Sequence, residues 1–399
     1  MPQHNGTHMD VIPPSTSATH KSKSKHRESH HRQMPTIYEV FGFSPDDKTD
    51  LATETRYNAL CPFTKSRCDG GGNRHQTKIK LKGSDLSDSF NPSLDSILPG
   101  VCSIMHSDSA WIVCPRRLLG FGSTKDTGII RKELQEHERQ ALLVAGLPAG
   151  VELGVWAEVY LSCGDNESKI NYHFDFVIAK LQRRKSLNYI FNAYHDISEA
   201  EANVLYALAK KSHYISDKMD MHSEADLLPD LSNPYIVEVM TASTSGSDTS
   251  AGTDIASSFR NLILGYSHVC PGINKRQVWG RMATQLFAKS ALAEAWGGKT
   301  VWIVQDELLN NIGLTTKMST EQENFAETEN KISFVSLGYR QNEAGVLSLQ
   351  VNALHEKGAG IDFKGSGKCI DILLPKVYPN KVELLKAVLR RKLTTVITL

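Results

Sequence analysis

Leu153-Gly-Val-Trp-Ala-Glu-Val-Tyr-Leu161, Gly164-Asp-Asn-Glu-Ser168 and Ile170-Asn-Tyr-His-Phe-Asp-Phe-Val-Ile178 read as a strand, a turn and a returning strand. Asp175 interrupts the apolar run of the returning strand. With the turn centred near Asn166, the residue opposite Asp175 falls at 157 or 158, of which Glu158 is the polar choice; a slip of one residue would point Glu158 away. Further along, Tyr235-Ile-Val-Glu-Val-Met240 is a short apolar strand broken by Glu238. An ionised carboxylate in such a setting is expensive unless something positive sits beside it. Acids converging from neighbouring strands would hold Mg²⁺ through hard oxygen ligands, and such an ion can bind a scissile phosphate and activate water. The alternative places each acid at an edge facing solvent or paired with a nearby Lys or Arg. His173 lies two residues before Asp175 and shares its face, as a partner or filler rather than a base.

Working outward, residues 198–213 predict a helix opened by Ser198, with Glu199 and Glu201 in its first turn. Helices are also expected from Ile129 to Leu147, at Ile255–Leu264, at Val278–Trp296 and at Lys381–Arg391. Strands are expected at Thr300–Val304, Ile332–Leu337, Val346–Val351 and Cys369–Leu374, while Asp217 to Asp230 reads as an acidic loop. Alternating strands and helices predict a mixed α/β core.

Upstream, residues 35–125 read as irregular and turn-rich, broken by Gly70-Gly71-Gly72 and Asn91-Pro92. Cys61, Cys68, Cys102 and Cys114 fall in this region, two of them beside proline (Cys61-Pro62 and Cys114-Pro115). Thiolates offered from turns build tetrahedral sites for zinc or iron, which would staple a region poor in periodic pattern. Scattered core thiols are the open alternative. Residues 1–34 hold six histidines and several Lys and Arg with almost nothing apolar, the composition of a disordered tail.

The chain of 399 residues is 40% hydrophobic and 22% charged, enough for two or three domains around buried cores. Its net charge of +1 gives no global attraction to nucleic acid, so any DNA contact must come from a local basic face. The longest apolar run, Ala141 to Trp156, is broken by Pro148 and Glu152, and no hydrophobic signal core opens the chain. A cytoplasmic location with no membrane partner is expected, and the seven cysteines then argue against a disulfide framework. P-loop, G-x-G-x-x-G, H-E-x-x-H and G-x-S-x-G patterns do not occur.

The order of these pieces resembles the NotI-like family of type II restriction endonucleases. The resemblance is carried by Cys61-Pro-Phe63, Gly100-Val-Cys102, Trp111-Ile-Val-Cys-Pro-Arg-Arg-Leu118 and Leu119-Gly-Phe-Gly122. It continues through Phe174-Asp-Phe176, Val237-Glu-Val-Met-Thr241, Thr253-Asp-Ile-Ala256 and Val278-Trp-Gly-Arg-Met-Ala-Thr-Gln285. It implies an α/β, mixed-sheet PD-(D/E)xK-type nuclease core over residues 126–399, with an inserted segment at about 183–232. It also implies a four-cysteine metal-binding region over 35–125, behind the tail of 1–34.

By position, Asp175 and Glu238 become the Mg²⁺ ligands and Glu158 an upstream acid. Cys61, Cys68, Cys102 and Cys114 become ligands of iron or zinc. The implied activity is Mg²⁺-dependent hydrolysis of both strands of a palindromic, G·C-rich DNA site by a homodimer, with room for a cognate DNA methyltransferase. The position two residues after the Glu, lysine in the superfamily and glutamine in the family, is Met240 here. A thioether cannot donate a hydrogen bond, so Gln285 is the candidate substitute. A catalytically degenerate DNA-binding protein is the alternative that Met240 raises, and a small-molecule metallohydrolase is a third class. Arg116, Arg117, Lys275, Arg276 and Arg281 are candidate phosphate or base contacts. Arg183, Arg184 and Lys185 open the insertion, which reads as a solvated excursion rather than an approach to DNA through these residues or a dimer contact.

Overall fold

The computed structural model describes residues 34–72, 77–121, 129–163, 170–194, 197–245, 252–319, 331–341, 347–361, 367 and 369–399. The expected tail, except residue 34, and the expected turn at 164–168 lie outside the described residues. Among the described residues no helix is long and apolar enough to cross a membrane.

The cysteine-bearing region is more regular than its sequence suggests. It contains β1 (Thr36–Val40), α1 (Asp50–Tyr57), four two-residue strands, a hairpin and a short helix. The short strands are β2 (Leu60–Cys61), β3 (Ser66–Arg67), β4 (Ile79–Lys80) and β5 (Ser96–Ile97); the hairpin is β6 (Val101–His106) with β7 (Ser109–Ile112), and the helix is α2 (Pro115–Leu118). β1 lies antiparallel to β6, with Thr36 opposite Met105, a pairing that no local pattern records. Phe41, Leu86, Phe90 and Ile104 form the core of this region.

Next come β8 (Ile130–Arg131), α3 (Glu136–Val144), β9 (Glu152–Cys163), β10 (Ile170–Ser186), α4 (Leu187–Asn192), α5 (Glu199–Lys211) and β11 (Glu224–Met240). They are followed by β12 (Ser243–Ser245), α6 (Ile255–Ile263), β13 (Gly272–Asn274), α7 (Arg276–Ala295), β14 (Lys299–Gln305) and α8 (Asp306–Thr315). β15 (Lys331–Gln341), β16 (Leu347–Gly358), α9 (Lys381–Leu389) and β17 (Thr395–Thr398) complete the order. Phe259 of α6 packs into the core of the cysteine-bearing region beside Phe41 and Phe90.

The molecule is mixed α/β around a large mixed sheet, ordered β16-β15-β14-β11-β10-β9-β17-β8 among the described residues. β9, β10 and β11 run antiparallel in succession, while β14 joins β11 in parallel and β15 joins β14 in parallel. One face carries α4, α5, α7 and α9 over Trp156, Phe174, Val177 and Ile236; the other carries α3 over Val155, Phe176, Ile178 and Val237. Each such fully buried large side chain contributes about 1.5–3 kcal/mol.

Four expectations are corrected here. The helix read from Ile129 starts only at Glu136, because Ile130 and Arg131 pair with β17 as β8. The Cys369–Leu374 strand is a 3₁₀ turn over Cys369–Leu373, with Ile372 87% exposed, so its apolar residues find no sheet to bury against. The acidic loop of 217–230 is in part strand, since Glu224 to Asp230 extend β11 along β10. The insertion is not a solvated excursion. It places Leu187, Ile190, Phe191, Leu205 and Ala209 in the core, and α5 is fixed by the reciprocal capping box of Ser198 and Glu201.

Candidate active site

The acids of β9 and β10 meet where both strands turn over. Leu153 and Val155 pack on one face of the sheet and Val159 and Leu161 on the other; Phe176 and Ile178 likewise lie opposite to Tyr172 and Phe174. Flanking pairs Phe174–Val159 and Phe176–Ala157 put Glu158 across from Asp175, as the hairpin arithmetic expects. Glu158 itself has φ +54°, a left-handed conformation costing a non-glycine residue on the order of 1 kcal/mol. The kink breaks the simple alternation of the strand.

Asp175 and Glu238 are tied through the backbone. The amide of Val239 donates to Asp175 Oδ2 (3.0 Å), and the amide of Asp175 donates to Glu238 Oε1 (3.3 Å). Burial raises the Asp175 pKa, and the charge of Glu158 adds to that rise. Burial, then the charge of Asp175, pushes Glu238 up to about 8. Glu238 also meets a cation that sequence reasoning missed, since Lys289 Nζ of α7 lies 2.5 Å from Glu238 Oε2. Both side chains are nearly inaccessible, at 4% and 3% exposure.

Lys289 had a readable signal. Met282, Leu286, Leu292 and Trp296 form a buried stripe along α7, and Lys289 lies in it three residues from Leu286 and three from Leu292. A lysine inside an apolar stripe needs a partner, and here the partner is Glu238.

These residues border a cleft of about 300 Å³ lined by Asp175, Glu238, Met240, Thr241, Gln285, Trp302 and their neighbours. Gln285 is exposed there, one helical turn before Lys289. Met240 is buried in the cluster of Trp111, Met282 and Trp302, so the position two residues after Glu238 is filled with hydrophobe. The indole Nε1 of Trp302 is buried, with no hydrogen-bond partner among the described residues. Glu158 stands outside this lining, half exposed, with Oε2 2.5 Å from His173 Nε2, which lowers its pKa. His173 is thus a partner, stacked on Tyr160 with ring centroids 4.2 Å apart.

Of the expected DNA contacts, Arg117 is corrected. It is buried, bonded through Nε to Glu39 Oε1 (3.1 Å) and set over the rings of Phe63 and Tyr339, out of reach of a phosphate. Arg116 reaches Asp69 (3.2 Å), and Lys275 lies over the Trp111 ring. The side chains of Arg276 and Arg281 lie outside the described residues. Arg183 pairs with Glu152, and Lys185 lies over Tyr189.

The four cysteines come together from β2, the segment after β3, β6 and the cap of α2. Cys61, Cys102 and Cys114 are buried in one cluster with Phe63, and Cys68 packs against it. The backbone donates to Cys61 at Phe63 and Thr64, to Cys68 at Gly70 and to Cys114 at Arg116. Such donors favour thiolate over thiol. Gly71, at φ +72°, is required there, because a Cβ would lie 2.8 Å from the Cys114 sulfur. Burial pushes Cys61 and Cys68 up, while a hydrogen bond from Cys102 lowers Cys114.

Among the described residues no group of three or more His, Cys, Asp or Glu is arranged to hold a metal ion as it stands. The acid pair suits Mg²⁺ even so, because that ion commonly takes only one or two carboxylates with water and phosphate completing its shell. The cysteine cluster offers the donor chemistry of a zinc or iron site and needs side-chain adjustment to close on one. Comparison with protein-family models, with curated proteins and with solved structures finds no match.

Proposed function

We propose that the chain is a Mg²⁺-dependent, site-specific DNA endonuclease acting as a homodimer, with a PD-(D/E)xK-type core. The observation that carries this reading is the buried Asp175–Glu238–Lys289 cluster at the wall of an open cleft. Two acids on adjacent antiparallel strands with an amine between sheet and helix are suited to a phosphodiester and a divalent ion. The bound ion supplies positive charge at the phosphate and makes water a better nucleophile.

The chain's own groups do the rest. Asp175 and Glu238 hold the ion, and the Val239 amide fixes the carboxylate of Asp175. Lys289 supplies the positive charge that Met240 cannot, from the helix rather than from two residues after the glutamate. Gln285 is a donor for phosphate or water oxygens. Cys61, Cys68, Cys102 and Cys114 hold zinc or iron as a structural staple, supported by the amides aimed at their sulfurs.

Purified protein incubated with a long natural DNA, with and without Mg²⁺, tests the reading. Discrete ends sharing one palindrome are expected only with Mg²⁺. Intact DNA from protein that still shifts duplex on a gel would instead favour the degenerate DNA-binding protein.

A further inference from the structure

Outside the cleft, side chains from three elements converge on Glu158. His173 of β10 contacts its carboxylate, Arg116 of α2 acts on it electrostatically, and Arg391 Nε after α9 donates to its carbonyl oxygen at 2.9 Å. Arg391 is flanked by Arg390 and Lys392, both exposed. Tyr160, 54% exposed, lies between these groups, stacked on His173 and with the Arg391 guanidinium over its ring at 5.7 Å. Arg116 is already paired with Asp69, so the charge left beside Glu158 is that of Arg391 and its neighbours Arg390 and Lys392, for which no ion pair is found among the described residues. Glu158 stands one strand, about 5 Å, from Asp175.

A helix C-terminus accommodates basic residues for its dipole alone. That does not account for Arg391 being bonded across to β9. Tyr160 already has a stacking partner, so the patch offers charge rather than an open ring for an unpaired base.

We propose that Arg390, Arg391 and Lys392, with His173 and Tyr160 beside them, form a ledge for the phosphate backbone of duplex DNA. The ledge holds phosphates flanking the one at Asp175. This rests on the endonuclease reading and adds where the substrate's backbone runs. Its contacts are sequence-independent and follow salt, at about 0.9 in the log–log slope per phosphate neutralised.

The test uses the full-length protein and a short fluorescent duplex without divalent cation, titrated over a range of salt. Arg390→Ala with Lys392→Ala spares Arg391 and the acids. The slope should fall by about 2 relative to wild type, while the sites cut in Mg²⁺ stay the same. Lys48→Ala with Lys82→Ala removes equal charge from the cysteine-bearing region and should leave the slope unchanged. The ledge is refuted if the first pair leaves the slope intact while wild type binds and cuts, or if both pairs lower it equally. Duplex binding kept while binding to phosphatidylserine vesicles is lost would also refute it, in favour of a lipid surface. Wild type that neither binds nor cuts duplex would remove the endonuclease reading together with the ledge.

Discussion

The cysteine cluster and the carboxylate cluster are both buried concentrations of ionisable groups, yet they handle charge in opposite ways. At Asp175 and Glu238 a cation is already in place, since Lys289 sits against Glu238 and backbone amides meet both acids. The cluster is also open on one side to the cleft. Around Cys61, Cys68, Cys102 and Cys114 no lysine or arginine is bonded to sulfur among the described contacts. Burial therefore holds Cys61 and Cys68 protonated, and Cys102 shares a hydrogen with Cys114. A closed thiol group in which burial opposes ionisation of Cys61 and Cys68 suits a staple. An open acid pair with its own cation suits chemistry.

The largest separation between the two should come from Lys289. Lys289→Met should lower Mg²⁺-dependent cleavage on the order of 10²–10³-fold, the scale of one lost charge-stabilising donor. Gln285→Ala should lower it less than about tenfold. Breaking a buried ion pair costs about 3–5 kcal/mol when a charge is stranded. Glu238, already pushed up to about 8, can instead take a proton, so the melting point of Lys289→Met should move little. The reverse ranking of the two variants would return the role to Gln285.

An intermediate effect is expected at the thiols. Protein purified without added metal should carry about one iron or zinc per chain by elemental analysis. Cys114→Ser should lose that metal and on the order of 5 kcal/mol of stability, whereas Cys270→Ser should keep the metal. Metal-free wild type of unchanged stability would leave the cysteines as core thiols.

The smallest effect concerns His137 of α3, whose Nε2 donates to the Arg117 carbonyl at 3.2 Å. Burial, then the Arg117 charge, pushes it down to about 3. The fold therefore holds it neutral, and its contribution is complete above the unfolded value near 6.5 and lost as pH falls toward 3. His137→Gln should flatten the acid side of the stability curve by roughly 4 kcal/mol between those limits. Identical curves for the two proteins would show that His137 already titrates normally.

Much of this contrast was legible in the residues. Period-two alternation and the Gly164–Ser168 turn placed Glu158 opposite Asp175, because hairpin register is a local property. α5, α6, α7 and α9 announced themselves through caps and stripes. The turn-over at Glu158 was hidden, since a positive φ leaves no residue signature when glycine is not used. Lys289 was legible as a lysine inside the apolar stripe of α7, but its partner Glu238 was not, because it lies on another element and only three-dimensional packing brings the two together. The β1–β6 pairing and the role of α6 in the N-terminal core were hidden for the same reason. Met240 stood out as an absence, and the structure places a lysine beside the glutamate from the helix side.

The most direct test compares digestion of long DNA in Mg²⁺ by wild type, Asp175→Asn and Glu238→Gln, each checked for an intact fold by its melting curve. Both variants should lose at least about 10³-fold in cleavage, some 4 kcal/mol of barrier. Cleavage kept by both would contradict the assignment of the acid pair as the nuclease centre.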